Sequence, residues 1–214
     1  MFQNRNDAGN RLAKLLIQYK NRSDVTVLAL PRGGVVVGYE IARTLNVPLD
    51  VLIVRKLGFP GQPELAMGAI SETGSVVLNK DIIAEGRLSD DLIKWEIDHQ
   101  KEDISRRISM YRAGKVLPPL KDMTIILVDD GIATGATIKA AIASIKEQNV
   151  VKLVTAIPVG PPETVELLRK MTDELICLDT PYAFISVSMH YEDFIQVTDS
   201  EVTDILRKYE AKAA

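Results

Sequence analysis

Short apolar runs alternate with amphipathic stretches over most of this chain. The runs are "VTVLAL" from Val25, "LDVLIV" from Leu49, "MTIILV" from Met123, "VKLVTAIPV" from Val151 and "DELICL" from Asp173. Most are rich in β-branched residues, are too short for helices and lack the strict alternation of a half-exposed strand, so they read as strands buried on both faces. Between them the spacing becomes helical. Leu12, Leu15, Leu16 and Tyr19 follow the capping candidates Asn6 and Asp7, and Val37, Ile41, Ala42 and Leu45 share one face of a second helix. Residues 137–148 and 162–171 supply two more. Strands alternating with helices predict an α/β fold, with right-handed crossovers and an open, mainly parallel sheet flanked by helices.

Between residues 56 and 119 the alternation breaks. "LGFPGQPELAMG" predicts a mobile loop, "SVVLN" an extra strand, and residues 90–112 a long charged helix with Ile93, Ile97, Ile104, Ile108 and Tyr111 as a narrow apolar stripe. Residues 80–118 are read as a helical cap inserted into a single domain spanning 1–214. A length of 214 residues with 46% hydrophobic content favours one core with an elaboration over two full domains. The net charge of −3 and the scattered Lys/Arg offer no basic surface for nucleic acid. No stretch approaches the roughly 20 apolar residues that span a bilayer, and no secretory h-region opens the sequence, so the expectation is a cytoplasmic protein without a membrane partner. Cys177, within the apolar "ELICL", reads as a buried strand thiol.

Candidate chemistry lies where two strands meet helices. In open α/β sheets ligands sit outside the carboxyl ends of the strands, where helix N-termini present unpaired N–H groups to anions. "VDDGIATGAT" at 128–137 is one such turn. Its glycines allow close backbone approach, Thr134 and Thr137 carry hydroxyl donors, and the following helix adds its positive pole. That half suits a phosphate, whereas Asp129 and Asp130 need another partner, such as paired hydroxyls or a hydrated cation. A phosphorylated sugar satisfies both. "LPRGG" at 30–34 is the second turn, where Arg32 supplies a forked positive charge and Gly33 and Gly34 expose backbone N–H groups. P-loop and dinucleotide fingerprints do not occur. Glu96 and His99 form a single Glu-x-x-His, which reads as a solvated helix face rather than half of a carboxylate-bridged metal site.

"VDDGIATGAT" resembles the phosphoribosyl pyrophosphate signature of the type I phosphoribosyltransferases, with Gly131 in place of the first apolar residue. "LPRGG" resembles that family's pyrophosphate loop. "VRKLGFPG" resembles the segment that opens the catalytic loop of the adenine-type members, and "PRGG", "RKLG", "PELA" and "YEDF" together resemble a group of stand-alone phosphoribosyltransferase-like proteins. The resemblance implies that Asp129 and Asp130 bind the ribose hydroxyls and that Ala133, Thr134, Gly135, Ala136 and Thr137 wrap the 5′-phosphate. It further implies that Arg32, Gly33 and Gly34 hold pyrophosphate, that Lys56 and Glu64 act from the loop, and that Mg²⁺ arrives bound through the substrate. A cis peptide between Pro31 and Arg32 and a homodimer belong to the same expectation.

The reaction so implied moves ribose 5-phosphate from phosphoribosyl pyrophosphate to a nitrogenous base or amine. A non-catalytic regulator that senses the same donor is the alternative. A C-terminal hood at 182–196 would cover the acceptor, with Tyr191 and Phe194 either stacking on the base or simply packing. Asp130 is expected to be an exposed loop acid whose amide variant weakens donor binding without unfolding the protein. Ala133 stands where 6-oxopurine enzymes of the family carry an aspartate, which favours a 6-aminopurine or another amine.

Overall fold

A computed structural model of the chain describes residues 1–213, apart from the side chains of Pro63, Glu64, Lys212 and Ala213. Five strands, β1 (Val25–Ala29), β2 (Leu49–Val51), β6 (Thr124–Val128), β7 (Lys152–Val159) and β8 (Glu174–Asp179), form a parallel sheet in the order β2-β1-β6-β7-β8. The α/β fold is that of the sequence reading. The apolar runs are continuous because both faces are covered. Along β6, Ile125 and Leu127 enter one core with Ile138, Ile142 and Ile145, while Ile126 and Val128 enter the opposite core with Leu12, Val37 and Ile41. The first face is covered by α5 (Ala136–Lys146) and α6 (Pro162–Arg169), the second by α1 (Arg5–Leu15) and α2 (Gly33–Leu45).

Three expectations need correction. The α1 cap is Asn4, whose side chain accepts from the Asp7 N–H at 3.0 Å, and not Asn6 or Asp7. The helix starts earlier because its first turns are themselves packed. A Cβ on Gly9 would lie 2.7 Å from the Val37 carbonyl, so α1 and α2 touch through backbone there, and Leu15 falls on the exposed side. Second, "LDVLIV" is not one strand: β2 ends at Val51, and the chain crosses to a separate sheet at β3 (Val54–Phe59). Glu72 clamps that crossing by accepting from the Ile53 N–H at 2.8 Å, and buried Arg112 pairs with Glu72 in turn.

Third, "LGFPGQPELAMG" is ordered as an antiparallel hairpin. β3 and β4 (Gln62–Ser71) pair from Val54↔Ser71 to Phe59↔Gln62, and β5 (Val76–Leu78) adds a third strand. Pro60-Gly61 provides the turn, with Gly61 at φ 75° as the second central position of such a turn requires. The hairpin has a buried face of Leu57, Met67 and Ile70, which packs on α4 (Asp90–Arg112) and α7 (Asp199–Ala213). The narrow stripe of α4 provides Ile93, Ile104 and Tyr111 to this third core, with Ile97 and Ile108 at its margin. Short α3 (Lys80–Glu85) connects β5 to α4. Residues 182–196 form an irregular segment pinned by the N-terminus, because Phe2 donates to the His190 carbonyl and accepts from the Glu192 N–H, both at 2.8 Å.

Candidate active site

The two unusual turns meet at the carboxyl end of the parallel sheet. β1 runs into Pro31–Arg32, whose peptide is cis, and Arg32 then caps α2. Beside it β6 ends in Asp129 and Asp130. Gly33 and Gly34 bring the turns into contact: a Cβ on Gly33 would lie 1.8 Å from Asp130 Oδ2, and one on Gly34 would lie 3.0 Å from Asp129 Cα. Glycine is required here by proximity, since any side chain would displace the acids.

Beyond the acids the backbone leaves the range favoured by L side chains. Gly131 (φ 152°) lies against Val187 and Val159, and Gly135 (φ 73°) caps α5. Ala133 and Thr134 are exposed, and Lys56, Asp129 and Gly131 to Ile138 surround a cavity of about 170 Å³. The turn is braced from two sides. Thr164 on α6 donates to the Ala133 carbonyl at 3.0 Å, and the Lys139 ammonium donates to the Thr134 carbonyl at 3.2 Å. Those carbonyls are occupied, which leaves N–H groups and hydroxyls for an anion.

Lys56, predicted as part of a loop, stands on β3 and reaches this cavity from the hairpin side. It also lines a neighbouring cavity of about 480 Å³, which shares Thr134 and Ala136 and is walled by Leu65, Val77 and Leu78. The side chain of Glu64 lies outside the described residues. Arg32 to Gly34, Lys56, Asp129, Asp130 and residues 133–137, scattered over a hundred positions, therefore gather at one end of the sheet.

The acids are not equivalent. Asp130 is not the exposed loop acid expected: its Oδ2 is paired with Arg5 Nε at 2.7 Å, and both side chains are largely buried. Its amide variant would leave a buried guanidinium without its counter-charge, so a stability cost joins the binding effect. Asp129 accepts from the Asp130 N–H at 2.8 Å. Burial, then the adjacent Asp130 charge, push its carboxyl well above the usual carboxylate range, while Arg5 opposes them.

Tyr191 packs, which is one of the two readings open to it. It is only 5% exposed, packs between Phe2 and Phe194 at ring separations of 5.2 and 5.0 Å, and its hydroxyl donates to the Asp130 carbonyl at 2.6 Å. Burial pushes its phenol far up. Tyr191 supports the acid turn from beneath and has no free face for a base. Phe194 is partly exposed, but the Arg5 guanidinium covers its ring at 3.7 Å. Sequence reasoning missed Arg5 and Thr164, because both read as ordinary helix residues and only tertiary contact brings them to the turn. His190 stacks on Phe184, and His99 on Trp95, which is 66% exposed rather than packed in a core. Among the described residues no group of three or more His, Cys, Asp or Glu side chains could hold a metal ion, and no helix is long and apolar enough to cross a membrane.

Comparison with known proteins agrees with this geometry. A model of the phosphoribosyl transferase domain matches residues 2–192. Proteins from two strains of Mycobacterium tuberculosis, each provisionally named a phosphoribosyl transferase, are 44% identical over 206 residues, covering 96% of this chain and 46% of the relative. The chain thus spans about half the length of the curated relatives it matches. A crystal structure of a Thermus thermophilus protein superposes with a TM-score of 0.83 at 38% identity, covering 98% of this chain and 99% of that one. The chain belongs to the phosphoribosyltransferase family.

Proposed function

We propose that the chain transfers ribose 5-phosphate from phosphoribosyl pyrophosphate to a nitrogenous base or amine, with release of pyrophosphate. The observation that carries this reading is the contact between the two turns. The closeness of Gly33 to Asp130 supports a diphosphate bound beside the acid pair, and the braced turn at 133–137, which follows the acids in the chain, supports a phosphate there. A diphosphate, a pair of ribose hydroxyls and a 5′-phosphate are spaced along one molecule in that order.

Displacement at the ribose anomeric carbon passes through a transition state of oxocarbenium character, and negative charge builds on the departing pyrophosphate. The Arg32 guanidinium and the N–H groups of Gly33 and Gly34 stabilise that charge, and Lys56 approaches it from the hairpin. Asp129 and Asp130 hold the ribose hydroxyls, and Thr134, Thr137 and the N-terminus of α5 hold the 5′-phosphate. The acceptor nitrogen is the nucleophile, so no covalent intermediate with the protein is needed. Asp129 and Asp130 would suit a magnesium ion brought by the donor, because among the described residues no third acid, histidine or cysteine joins them in a dedicated metal site. When bound, that ion neutralises leaving-group charge.

The acceptor we favour is a 6-aminopurine or another amine, because Ala133 offers no titratable group to a purine. As in the family at large, the working form is taken to be a cytoplasmic homodimer. The deciding experiment supplies phosphoribosyl pyrophosphate, Mg²⁺ and a panel of nucleobases and amines and follows pyrophosphate release. Release with adenine or an amine faster than with hypoxanthine or guanine is expected. Donor binding without turnover on any acceptor would instead favour the sensing alternative, and no donor binding at all would refute both.

A further inference from the structure

Arg5 is the best-connected side chain at the site that no motif contains. Its Nε pairs with Asp130 Oδ2 and its Nη1 donates to the Ile195 carbonyl, both at 2.7 Å, while its guanidinium plane covers the Phe194 ring at 3.7 Å. It is 8% exposed. A Cβ on Gly33 would approach Arg5 Nε to 2.8 Å, so the same guanidinium also borders the pyrophosphate loop. One side chain thus touches the acid turn, the first turn of α2 and the segment at 182–196.

The connection is built into the chain ends. Phe2 bridges to Tyr191, the Asp193 N–H donates to the Gln3 carbonyl at 2.9 Å, and Asn4 caps the helix that carries Arg5. The guanidinium is therefore held in place before any ligand arrives. With Oδ2 occupied, Asp130 has Oδ1 left for another partner.

We propose that Arg5 is a positioning residue: it fixes the aim of Asp130 toward the donor's ribose and locks residues 190–195 to that acid, so that donor affinity and order in this segment depend on one ion pair. The inference rests on the donor reading given above. The charged and titratable groups around the acid pair include Arg5 on α1, Tyr191 from the C-terminal segment and Lys56 from β3, and Arg32 stands next to Gly33 at the start of α2.

The test is a double-mutant cycle read by donor calorimetry, by kcat and KM for phosphoribosyl pyrophosphate, and by amide hydrogen exchange of residues 190–195. Arg5→Ala is expected to weaken donor binding by about tenfold to hundredfold, as removal of a charge-assisted hydrogen bond does. The loss should appear mainly in KM, Arg5→Lys should recover part of it, and amide exchange in residues 190–195 should become faster. In an Asp130→Asn background the same Arg5→Ala change should cost little more, because its route of action is gone. If Arg5→Ala does not fold, Arg5→Lys serves for every comparison, with an intermediate donor affinity expected. Equal losses in both backgrounds, or amide exchange in residues 190–195 that does not change, would overturn the proposal. A wild-type protein that binds no donor refutes the reading of the preceding subsection, while the exchange of residues 190–195 still decides for or against Arg5.

Discussion

Replacing Gly33 by alanine tests the contact on which the site depends. The added Cβ would lie 1.8 Å from Asp130 Oδ2, 2.5 Å from its Cγ and 2.8 Å from Arg5 Nε. Ordinary van der Waals separation is near 3.4 Å, so the carboxylate must retreat by about 1.5 Å. The Asp130 side chain can rotate, which spares the backbone, but rotation takes Oδ2 away from Arg5 and breaks a 2.7 Å ion pair. A hydrogen bond between charged groups contributes about 1.5–3 kcal/mol. Against that stands a gain of about 0.5–1 kcal/mol, because alanine is a better helix former than glycine and Gly33 begins α2. The net loss of unfolding free energy should be about 1–2 kcal/mol, which lowers the urea midpoint but leaves a folded protein. Donor binding should suffer more than stability, since the ribose acid and the pyrophosphate loop are disturbed together. Circular dichroism in urea and calorimetry with phosphoribosyl pyrophosphate measure the two effects on one sample. Wild-type donor affinity in Gly33→Ala would refute the claim that the Asp130 carboxylate and this loop serve one ligand.

Two further outcomes follow from the displaced titrations. Asp129 has a raised folded-state pKa, so ionising it opposes folding: wild-type stability falls as pH rises from the unfolded value of about 3.9 through the higher folded one. Asp129→Asn should therefore be more stable than wild type near neutral pH, with the gain vanishing below about pH 3, while donor binding falls; an equal or lower melting temperature near neutrality contradicts the burial argument. Cys177 lies in β8 with its thiol pushed up to about 11 by burial, so a thiol reagent near neutral pH should label the folded protein far more slowly than the protein in denaturant, and equal rates would show that the strand is not packed as described.

Much of this architecture was legible because it is written in local signals. Parallel strands buried on both faces leave continuous apolar runs, and α4 announced itself through a spaced stripe of isoleucines. The anion turn was legible for the same reason, since glycines and hydroxyls at a strand end have a local purpose. The hairpin at Pro60-Gly61 was misread because its strands are short on β-branched residues and contain glycine, proline and charge. Its order comes from Leu57, Met67 and Ile70 packing on a helix more than twenty residues later. The long-range partners were not legible at all: Arg5 meets Asp130 across 125 residues, and Thr164 meets Ala133 across 31.

The same contrast explains how two adjacent, chemically identical acids acquire different environments. Asp130 has a guanidinium partner from α1 and a tyrosine hydroxyl on its carbonyl, whereas Asp129 accepts one N–H and is otherwise enclosed beside a like charge. Pairs of carboxyls whose surroundings diverge in this way take different parts in chemistry. The acid turn provides the carboxylates, but the chain ends differentiate them. A donor that offers two hydroxyls to the pair would then meet one carboxylate already held in place and one that would ionise more readily only once a cation carried by the donor arrives. Such asymmetry ties the ribose contact to arrival of the diphosphate, and it could not be built from residues 129 and 130 alone.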